Sequence, residues 1–337
     1  MNVESRKKDH IEICLTRDVN FKKANGFERY ELLHNAMAGF NFKDIDLSCD
    51  LLDKKLDFPI IISSMTGGCE KAEKINKNLA VAAQKFGIAM SCGSQKAMIG
   101  GGDLAYSYKV RDVAPDILYI GNIGLDYLKN RENFVKIKSA LNDIDGNGVF
   151  VHLNLAQELV QGEGERNFAD SSQNLSNFVE FMDLPVLAKE VGFGISGKVA
   201  FRLERAGIKA IDIAGAGGTS WIKVESFRQP DSKLCERFSE WGIPTAECLV
   251  ESRKSVKIPI IASGGVYDGI TACKAFALGA DLVGIAGPLL KTANVSSEKV
   301  MEYLDNFILE LKTAMMLVGA KKLNELRNNR EKINKII

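Results

Sequence analysis

The chain has 337 residues, of which 46% are hydrophobic and 26% charged, and its net charge is +1. This near-neutral balance excludes a general electrostatic attraction to nucleic acid or to a membrane surface, so we expect neither as a partner. No apolar run approaches the roughly 20 residues that a membrane-spanning helix requires. The seven cysteines form no Cys-x-x-Cys pair. Because the N-terminus is also polar and unlike a secretory signal, we predict a cytoplasmic protein with reduced thiols.

The first segment of the chain is basic. Arg6, Lys7 and Lys8 precede His10, after which the sequence turns apolar. This pattern is typical of the solvated start of a helix, and it also suits a basic arm that folds over an anionic ligand. A helical pattern of apolar residues follows over 27–40. We therefore predict an N-terminal arm and helix at residues 1–55, ahead of the main body.

From residue 59 onward, short apolar segments alternate with helical patterns such as 198–206 and 268–278. Near-continuous apolar strands are typical of a parallel sheet that is covered on both faces. Eight strand–helix units favour a closed (β/α)8 TIM barrel, and no Gly-x-Gly-x-x-Gly follows the first strand to indicate a dinucleotide-binding sheet. We predict an α/β fold in one domain, with the barrel at 59–290 and C-terminal helices at 291–337. The predicted strands are 59–63, 87–91, 116–120, a fourth beginning at 149, 184–189, 210–214, 258–263 and 281–285.

The fourth strand delivers four polar residues at and just beyond its end: His152, Asn154, Gln157 and Glu158. In a barrel of this kind the C-terminal ends of the strands share one mouth, where active sites lie. These side chains are typical either of a cap for the next helix or of a ligand site. The charged, aromatic segment 221–245 is likewise either a lid over the mouth or an ordinary surface excursion.

Glycines follow the seventh and eighth strands, at Gly264-Gly265 and Ala286-Gly287. Glycine there lets backbone N–H groups approach a phosphate, which predicts a phosphorylated ligand or cofactor. Lys189 at the end of the fifth strand suits a flavin edge, a Schiff base, or an ion pair with a buried carboxylate. Glu158 suits Mg²⁺, which binds one or two carboxylates together with ligand phosphates.

Taken together, the motifs resemble those of the type 2, FMN-dependent isopentenyl-diphosphate isomerases, over residues 5–326. Two positions depart from that family: Leu155 stands where proline is frequent, and Lys96 where arginine is common. Lysine keeps the charge but loses the bidentate fork of arginine. The matching motifs are Arg6-Lys7-x-Asp9-His10, Met65-Thr66-Gly67-Gly68, Gly93-Ser94-Gln95, Asn122-Ile123-Gly124, His152-x-Asn154-x-x-Gln157-Glu158, Lys189-Glu190-Val191-Gly192, Gly194-Ile195-Ser196 and Ala216-Gly217-Gly218-Thr219-Ser220-Trp221.

The resemblance implies an isomerase that interconverts isopentenyl and dimethylallyl diphosphate, with FMN, Mg²⁺ and NADPH as the reductant of FMN. It implies a homo-oligomer, typically a tetramer, and suggests N5 of the reduced flavin as the proton carrier. Glu158 would bind Mg²⁺. The implied catalytic residues are Gln157, His152 and Asn154; the implied substrate-binding residues are Arg6, Lys7, His10, Ser94, Gln95 and Gln157; the implied FMN-binding residues are Met65, Thr66, Gly67, Ser94, Asn122, Lys189, Thr219, Gly264, Gly265, Ala286 and Gly287.

Three other functions use a similar barrel. A flavin-dependent 2-hydroxy-acid oxidase needs a histidine and an arginine after the sixth strand, and residues 214–221 contain neither. An inosinate dehydrogenase-like enzyme needs a nucleophilic cysteine in a glycine-rich strand-end loop, which is absent from the sequence. A non-catalytic FMN- or phosphate-binding barrel is the alternative from a different class, and the intact polar set from His152 to Glu158 argues against it.

Overall fold

The structure is a computed structural model that describes residues 3–99, 104–327, 329 and 331–336. The strands are β1 (Tyr30–Leu32), β2 (Cys49–Leu51), β3 (Lys54–Leu56), β4 (Ile60–Ile62), β5 (Ala89–Ser91), β6 (Tyr119–Gly124), β7 (Gly148–Leu153), β8 (Val186–Glu190), β9 (Ile211–Asp212), β10 (Ile260–Ser263), β11 (Leu282–Ile285) and β12 (Ile333–Lys335). The α-helices are α1 (Val3–Thr16), α2 (Glu70–Phe86), α3 (Lys96–Ile99), α4 (Glu132–Asn142), α5 (Leu155–Val160), α6 (Ser171–Phe181), α7 (Gly197–Arg205), α8 (Trp221–Arg228), α9 (Lys233–Phe238), α10 (Thr245–Ser255), α11 (Gly269–Ala277), α12 (Gly287–Ala293), α13 (Ser297–Leu317) and α14 (Leu323–Leu326).

Strands β4 to β11 form a closed parallel barrel in chain order. Ile61 of β4 pairs with Ala89 of β5 on one side and with Gly284 of β11 on the other, which closes the ring. Each of the eight predicted strands corresponds to one of these strands, so the predicted TIM barrel is confirmed. The predicted helices over 198–206 and 268–278 are also confirmed, as α7 and α11.

The interior of the barrel changes from apolar to polar along each strand. Ile120, Phe150 and Leu187 belong to the buried apolar cluster inside the barrel. Because alternate residues of a strand face the same side, the residues two positions later point into the barrel as well, but nearer its C-terminal mouth. Those positions are polar on seven strands, and they carry Ser63, Ser91, Asn122, His152, Lys189, Asp212 and Ser263.

The predicted helix over residues 27–40 is wrong. Phe27–Arg29 forms a single 3-10 turn, and Tyr30 then adopts an extended conformation and begins β1. β1 pairs antiparallel with β12 near the far end of the sequence. A partner so distant in the chain overrides the local helical pattern. The same pairing corrects the C-terminal prediction, since residues 291–337 contain a strand after α13 and α14.

Two helices, α8 and α9, occupy the segment 221–245 that follows β9. The N-terminal helix α1 packs against α8 and also contacts α12, which follows β11. The basic arm therefore lies across the C-terminal mouth of the barrel as a helix. In the described part of the chain, no helix is long and apolar enough to cross a bilayer. All seven cysteines are free thiols.

Candidate active site

A cavity of about 550 Å³ opens at the C-terminal ends of the barrel strands, under helix α1. It brings together residues of the N-terminal helix and of most of the strand-end loops. Every predicted site residue except Gln95 lines it: Arg6, Lys7, His10, Met65, Thr66, Gly67, Ser94, Asn122, His152, Asn154, Gln157, Glu158, Lys189, Thr219, Gly264, Gly265, Ala286 and Gly287.

Gln95 lies behind the cavity wall, with its side chain only 2% exposed. Its Nε2 donates to the carbonyl of Ala140, and its Oε1 accepts from the backbone N–H of Asn122. Both ends of the amide are therefore occupied in holding the loop after β5 against α4 and β6. The structure does not bring Gln95 to the ligand cavity, and we omit it from the substrate-binding residues.

The cavity is electropositive, although the whole chain is nearly neutral. Six cationic side chains line it, against only two carboxylates, Asp126 and Glu158. Asp126 is already paired with Lys96, 3.1 Å away. Such a concentration of one sign of charge in a concave site attracts anionic ligands. The cationic side chains are Arg6, Lys7, Arg17, Lys96, Lys189 and Lys291.

Lys7 carries a positive charge into the cavity, and none of the described residues places a carboxylate at ion-pair distance from it. Its Nζ donates to the carbonyl of Ser94 at 2.7 Å and to the hydroxyl of Tyr108 at 3.1 Å. Burial lowers the pKa of Lys7 to about 8, so the ammonium form predominates at neutral pH. Both acceptors are uncharged, which leaves the charge available to an anion.

His152 is held neutral in the barrel mouth. Its Nδ1 lies 2.8 Å from the amide oxygen of Asn122, a geometry in which Nδ1 donates and Nε2 is left as an acceptor. Burial lowers the pKa of His152 to about 3, and the neighbouring cations Lys189, Lys7 and Lys96 also lower it. The ring is therefore a neutral hydrogen-bonding group at physiological pH.

The polar residues after β7 lie on the first turn of α5. Asn154 stands before the helix, and its Nδ2 donates to Oε1 of Glu158 at 2.8 Å. The Oδ1 of Asn154 is buried and has no hydrogen-bond partner within the described residues. A buried acceptor without a donor is costly unless a ligand supplies the donor. A role as a helix cap would explain why these residues stand at the start of α5, but it leaves Oδ1 of Asn154 without a hydrogen-bond donor.

Leu155, where the resembling family often has proline, is the first residue of α5 and is 50% exposed. Proline suits this position in a helix, because the first N–H has no partner within the helix. However, Asn154 has φ −125° and ψ 35°. The residue before a proline is pushed toward larger ψ values. Leucine therefore permits a conformation of Asn154 that proline would disfavour.

Lys189 points into the barrel mouth from β8, where its Nζ donates to the carbonyl of Glu190 at 2.7 Å. No carboxylate lies within ion-pair distance of Lys189 in the part of the chain that is described. The carboxylate of Glu190 turns the other way and accepts from four consecutive backbone N–H groups, those of residues 191–194. Burial raises the pKa of Glu190 to about 7 despite those hydrogen bonds. This arrangement fixes the loop that follows Lys189 and leaves the cation of Lys189 for a ligand.

The sequence interpretation missed Glu225 on α8. Its side chain is 0% exposed, and its carboxylate contacts both His10 and Arg228. Gln157 also donates to Oε1 of Glu225, at 3.2 Å. Burial alone would raise the pKa of Glu225, but His10 and Arg228 outweigh it, and the pKa lies below its ordinary value. The clue in the sequence was a glutamate in the first turns of a helix that follows the Gly-Gly-Thr-Ser-Trp motif.

Two glycine-rich turns, after β10 and β11, form a cradle in the cavity. Gly264 and Gly265 have φ values of +98° and +82°, and a Cβ on Gly264 would lie 2.0 Å from the carbonyl oxygen of Gly215. In the described residues, the backbone N–H groups of Gly264, Gly265, Ala286 and Gly287 donate to no protein acceptor. Unpaired N–H groups around a space without side chains bind phosphate. These residues therefore fit the phosphate of a cofactor such as FMN.

Comparison with known proteins agrees with this geometry. The pattern of the FMN-dependent dehydrogenase family matches residues 151–334. The isopentenyl-diphosphate delta-isomerase of Methanothermobacter thermautotrophicus is 42% identical, over 97% of this chain and 92% of the relative. The isopentenyl-diphosphate delta-isomerase of Pyrococcus furiosus is 44% identical, over 96% of this chain and 84% of the relative. This chain belongs to the isopentenyl-diphosphate delta-isomerase family.

The fold is shared more widely than the sequence. An oxidized active mutant of (S)-mandelate dehydrogenase matches with a TM-score of 0.69 and 17% identity, over 97% of this chain and 98% of that one. A flavocytochrome b2 variant with sulfite bound matches with a TM-score of 0.70 and 14% identity, over 97% and 82%. At 14% and 17% sequence identity, these matches show a shared fold and nothing about function. Membership of the isomerase family rests on the sequence relatives.

Proposed function

We propose that this protein interconverts isopentenyl and dimethylallyl diphosphate, with reduced FMN and Mg²⁺. The observation that carries the proposal is a cavity with two separate anion sites. At the turns after β10 and β11, the backbone N–H groups of Gly264, Gly265, Ala286 and Gly287 donate to no acceptor in the part of the chain that the structure describes. Beside the loop after β5, Lys7 lines the same cavity, and its hydrogen-bond partners among the described residues are neutral. One site suits the phosphate of FMN and the other the diphosphate of the substrate.

FMN would be held by residues of the strand-end loops. The glycine cradle and Thr219 would bind its phosphate, and Met65, Thr66, Gly67, Ser94 and Asn122 would surround the ring system. Lys189 would lie beside the edge of the ring where negative charge accumulates on reduction. When bound, reduced FMN supplies a group that can give and take a proton at the reacting carbons.

The protein itself would bind and orient the substrate. Arg6 and Lys7 would neutralise the diphosphate, with His10 and Ser94 nearby, while the neutral ring of His152 and the amides of Asn154 and Gln157 orient the chain. The ionised carboxylate of Glu225 contacts both Gln157 and His10 and would hold these two side chains in place beside the substrate. Helix α1 excludes water from the mouth.

Mg²⁺ would be shared between the protein and the diphosphate. Among the residues that the structure describes, no group of three or more acidic, histidine or cysteine side chains could hold a metal. One carboxylate, Glu158, lies in the cavity without a lysine or arginine at ion-pair distance. Mg²⁺ is commonly bound by one carboxylate, phosphate oxygens and water. NADPH as the reductant and assembly into a homotetramer rest on the family resemblance alone.

The proposal is tested with purified protein and isopentenyl diphosphate. We expect a yellow protein that forms dimethylallyl diphosphate only when the flavin is reduced and Mg²⁺ is present. A protein that takes up no FMN would contradict the proposal. Bleaching of the oxidised flavin by lactate or glycolate would instead favour a 2-hydroxy-acid oxidase.

A further inference from the structure

Tyr108 lies beneath Lys7 and is fully buried, at 0% exposure. Its hydroxyl donates to the carbonyl of Ser94 at 2.8 Å, and it accepts from Nζ of Lys7 at 3.1 Å. Lys7 donates to the same Ser94 carbonyl at 2.7 Å, so the three atoms form a closed triangle. The ammonium also lies 5.6 Å from the centre of the Tyr108 ring.

This triangle fixes the direction of Lys7 without neutralising it. An ammonium has three N–H groups, and two of them are directed to neutral oxygens of Ser94 and Tyr108. The third remains for a ligand in the cavity that Lys7 lines. The other titratable groups that act on Lys7 are Arg6, Cys69 and Cys92, together with the neutral ring of His152. Burial raises the pKa of the Cys92 thiol to about 12, so this neighbour is uncharged at neutral pH.

The ring of Tyr108 also determines the shape of the loop after β4. A Cβ on Gly67 would lie 2.0 Å from Cε1 of Tyr108, and a Cβ on Gly68 would lie 3.1 Å from its hydroxyl oxygen. The ring therefore occupies the space that a side chain at Gly67 would need, while Ala97 and Lys7 lie even closer than the hydroxyl to a Cβ on Gly68. Tyr108 joins the loop that we assign to FMN to the lysine that we assign to the diphosphate.

We propose that Tyr108 is a positioning residue for diphosphate binding, which aims the ammonium of Lys7 into the cavity. The inference rests on the proposed function, because it needs a diphosphate in the cavity. It adds a residue that contacts neither ligand and acts through Lys7.

The test compares Tyr108→Phe with wild type in the FMN-loaded protein. Inorganic diphosphate with Mg²⁺ is titrated by calorimetry across a pH series around 8, and isomerase kinetics are measured alongside. We expect diphosphate affinity and 1/KM to fall about tenfold, with kcat and FMN affinity unchanged, because a hydrogen bond to a charged group is lost. The pH at which affinity declines should move lower, because the hydroxyl no longer favours the ammonium form.

Tyr119→Phe is the matched control. Tyr119 is equally buried, and its hydroxyl donates to the backbone carbonyl of Tyr108 at 2.6 Å without an observed contact to Lys7. It should lose stability but keep the wild-type pH dependence of binding. Equal diphosphate affinity for wild type and Tyr108→Phe at every pH, or the same shift in Tyr119→Phe, overturns the inference while leaving the isomerase proposal intact. A wild-type protein that neither binds diphosphate nor turns over isopentenyl diphosphate overturns both.

Discussion

The imidazole Nε2 of His10 lies 2.9 Å from Oε1 of Glu225. This contact joins helix α1, at the N-terminus, to helix α8, which follows the sixth strand of the barrel. The same carboxylate pairs with Arg228 at 2.6 Å and accepts from Gln157 at 3.2 Å. The buried side chain of Glu225 therefore connects three elements: helix α1, its own helix α8, and helix α5 after β7.

Replacing Glu225 by glutamine should destabilise the protein strongly. The substitution leaves the guanidinium of Arg228, whose side chain is only 7% exposed, without its buried counter-ion. Removing one partner of a buried ion pair costs about 3 kcal/mol. We expect the free energy of unfolding, measured by urea denaturation, to fall by that amount. Turnover should fall as well, because His10 and Gln157 lose the negative charge of their common acceptor.

Glu163→Gln provides the comparison, since Glu163 pairs with the same Arg228 but has a side chain that is 47% exposed. An exposed pair contributes about 0.5 kcal/mol. If both variants lose the same stability, the carboxylate of Glu225 does not anchor the two helices.

The strands of the barrel could be predicted because each is a short apolar segment bounded by glycine or polar residues. What the local pattern could not reveal was pairing between distant segments. Tyr30–Leu32 is a strand only because Ile333–Lys335 lies beside it. Without that partner, the spacing of apolar residues from Phe27 favours a helix.

Some residues that line the ligand cavity could be predicted from the sequence because their type is rarely needed for folding at such a position. The paired glycines after β10 and the lysine in β8 are examples. Gln95 and Glu225 show where this fails. A glutamine after a strand can either face the cavity or, like Gln95, bind the neighbouring strand. The sequence does not distinguish these two orientations. Glu225 lies on a helix outside the barrel, and only the packing of α1 against α8 turns it toward His10.

The assignment of Mg²⁺ to Glu158 predicts a metal-specific defect. Glu158→Gln should raise the Mg²⁺ concentration needed for half-maximal turnover by about a hundredfold, since even indirect contacts to a metal are worth 10–100-fold in affinity. Uptake of FMN, followed by absorbance, should be unchanged. Asp126→Asn removes the other cavity carboxylate, which already pairs with Lys96, and should leave the Mg²⁺ requirement as it is. An unaltered requirement in Glu158→Gln would rule out Glu158 as the ligand.

The phosphate cradle can be filled without disturbing the fold. A Cβ on Gly287 would meet only Oγ1 of Thr219, at 3.7 Å, so a methyl group there would stand in the cavity. We expect Gly287→Ala to weaken FMN binding by about tenfold or more, equivalent to at least 1.4 kcal/mol. The free energy of unfolding of the FMN-free protein should stay within about 0.5 kcal/mol of wild type.

Gly146→Ala is the control for this substitution. Gly146 lies before β7, at the opposite end of the barrel, and its Cβ would have no contact shorter than 3.4 Å. Its FMN affinity should equal that of wild type. Tight FMN binding by Gly287→Ala would mean that the phosphate lies elsewhere in the cavity.

His152 should make the FMN-free protein less stable in mild acid. Burial lowers its pKa from 6.5 to about 3, so below pH 6.5 the unfolded chain takes up a proton that the folded protein does not. The free energy of unfolding therefore falls as pH falls, by about 2 kcal/mol between pH 6.5 and about 5. His152→Asn cannot titrate, so its urea denaturation curves should lack this component. If wild type and His152→Asn lose the same free energy of unfolding as the pH falls, the folded protein binds a proton at His152 and the ring is charged in the cavity.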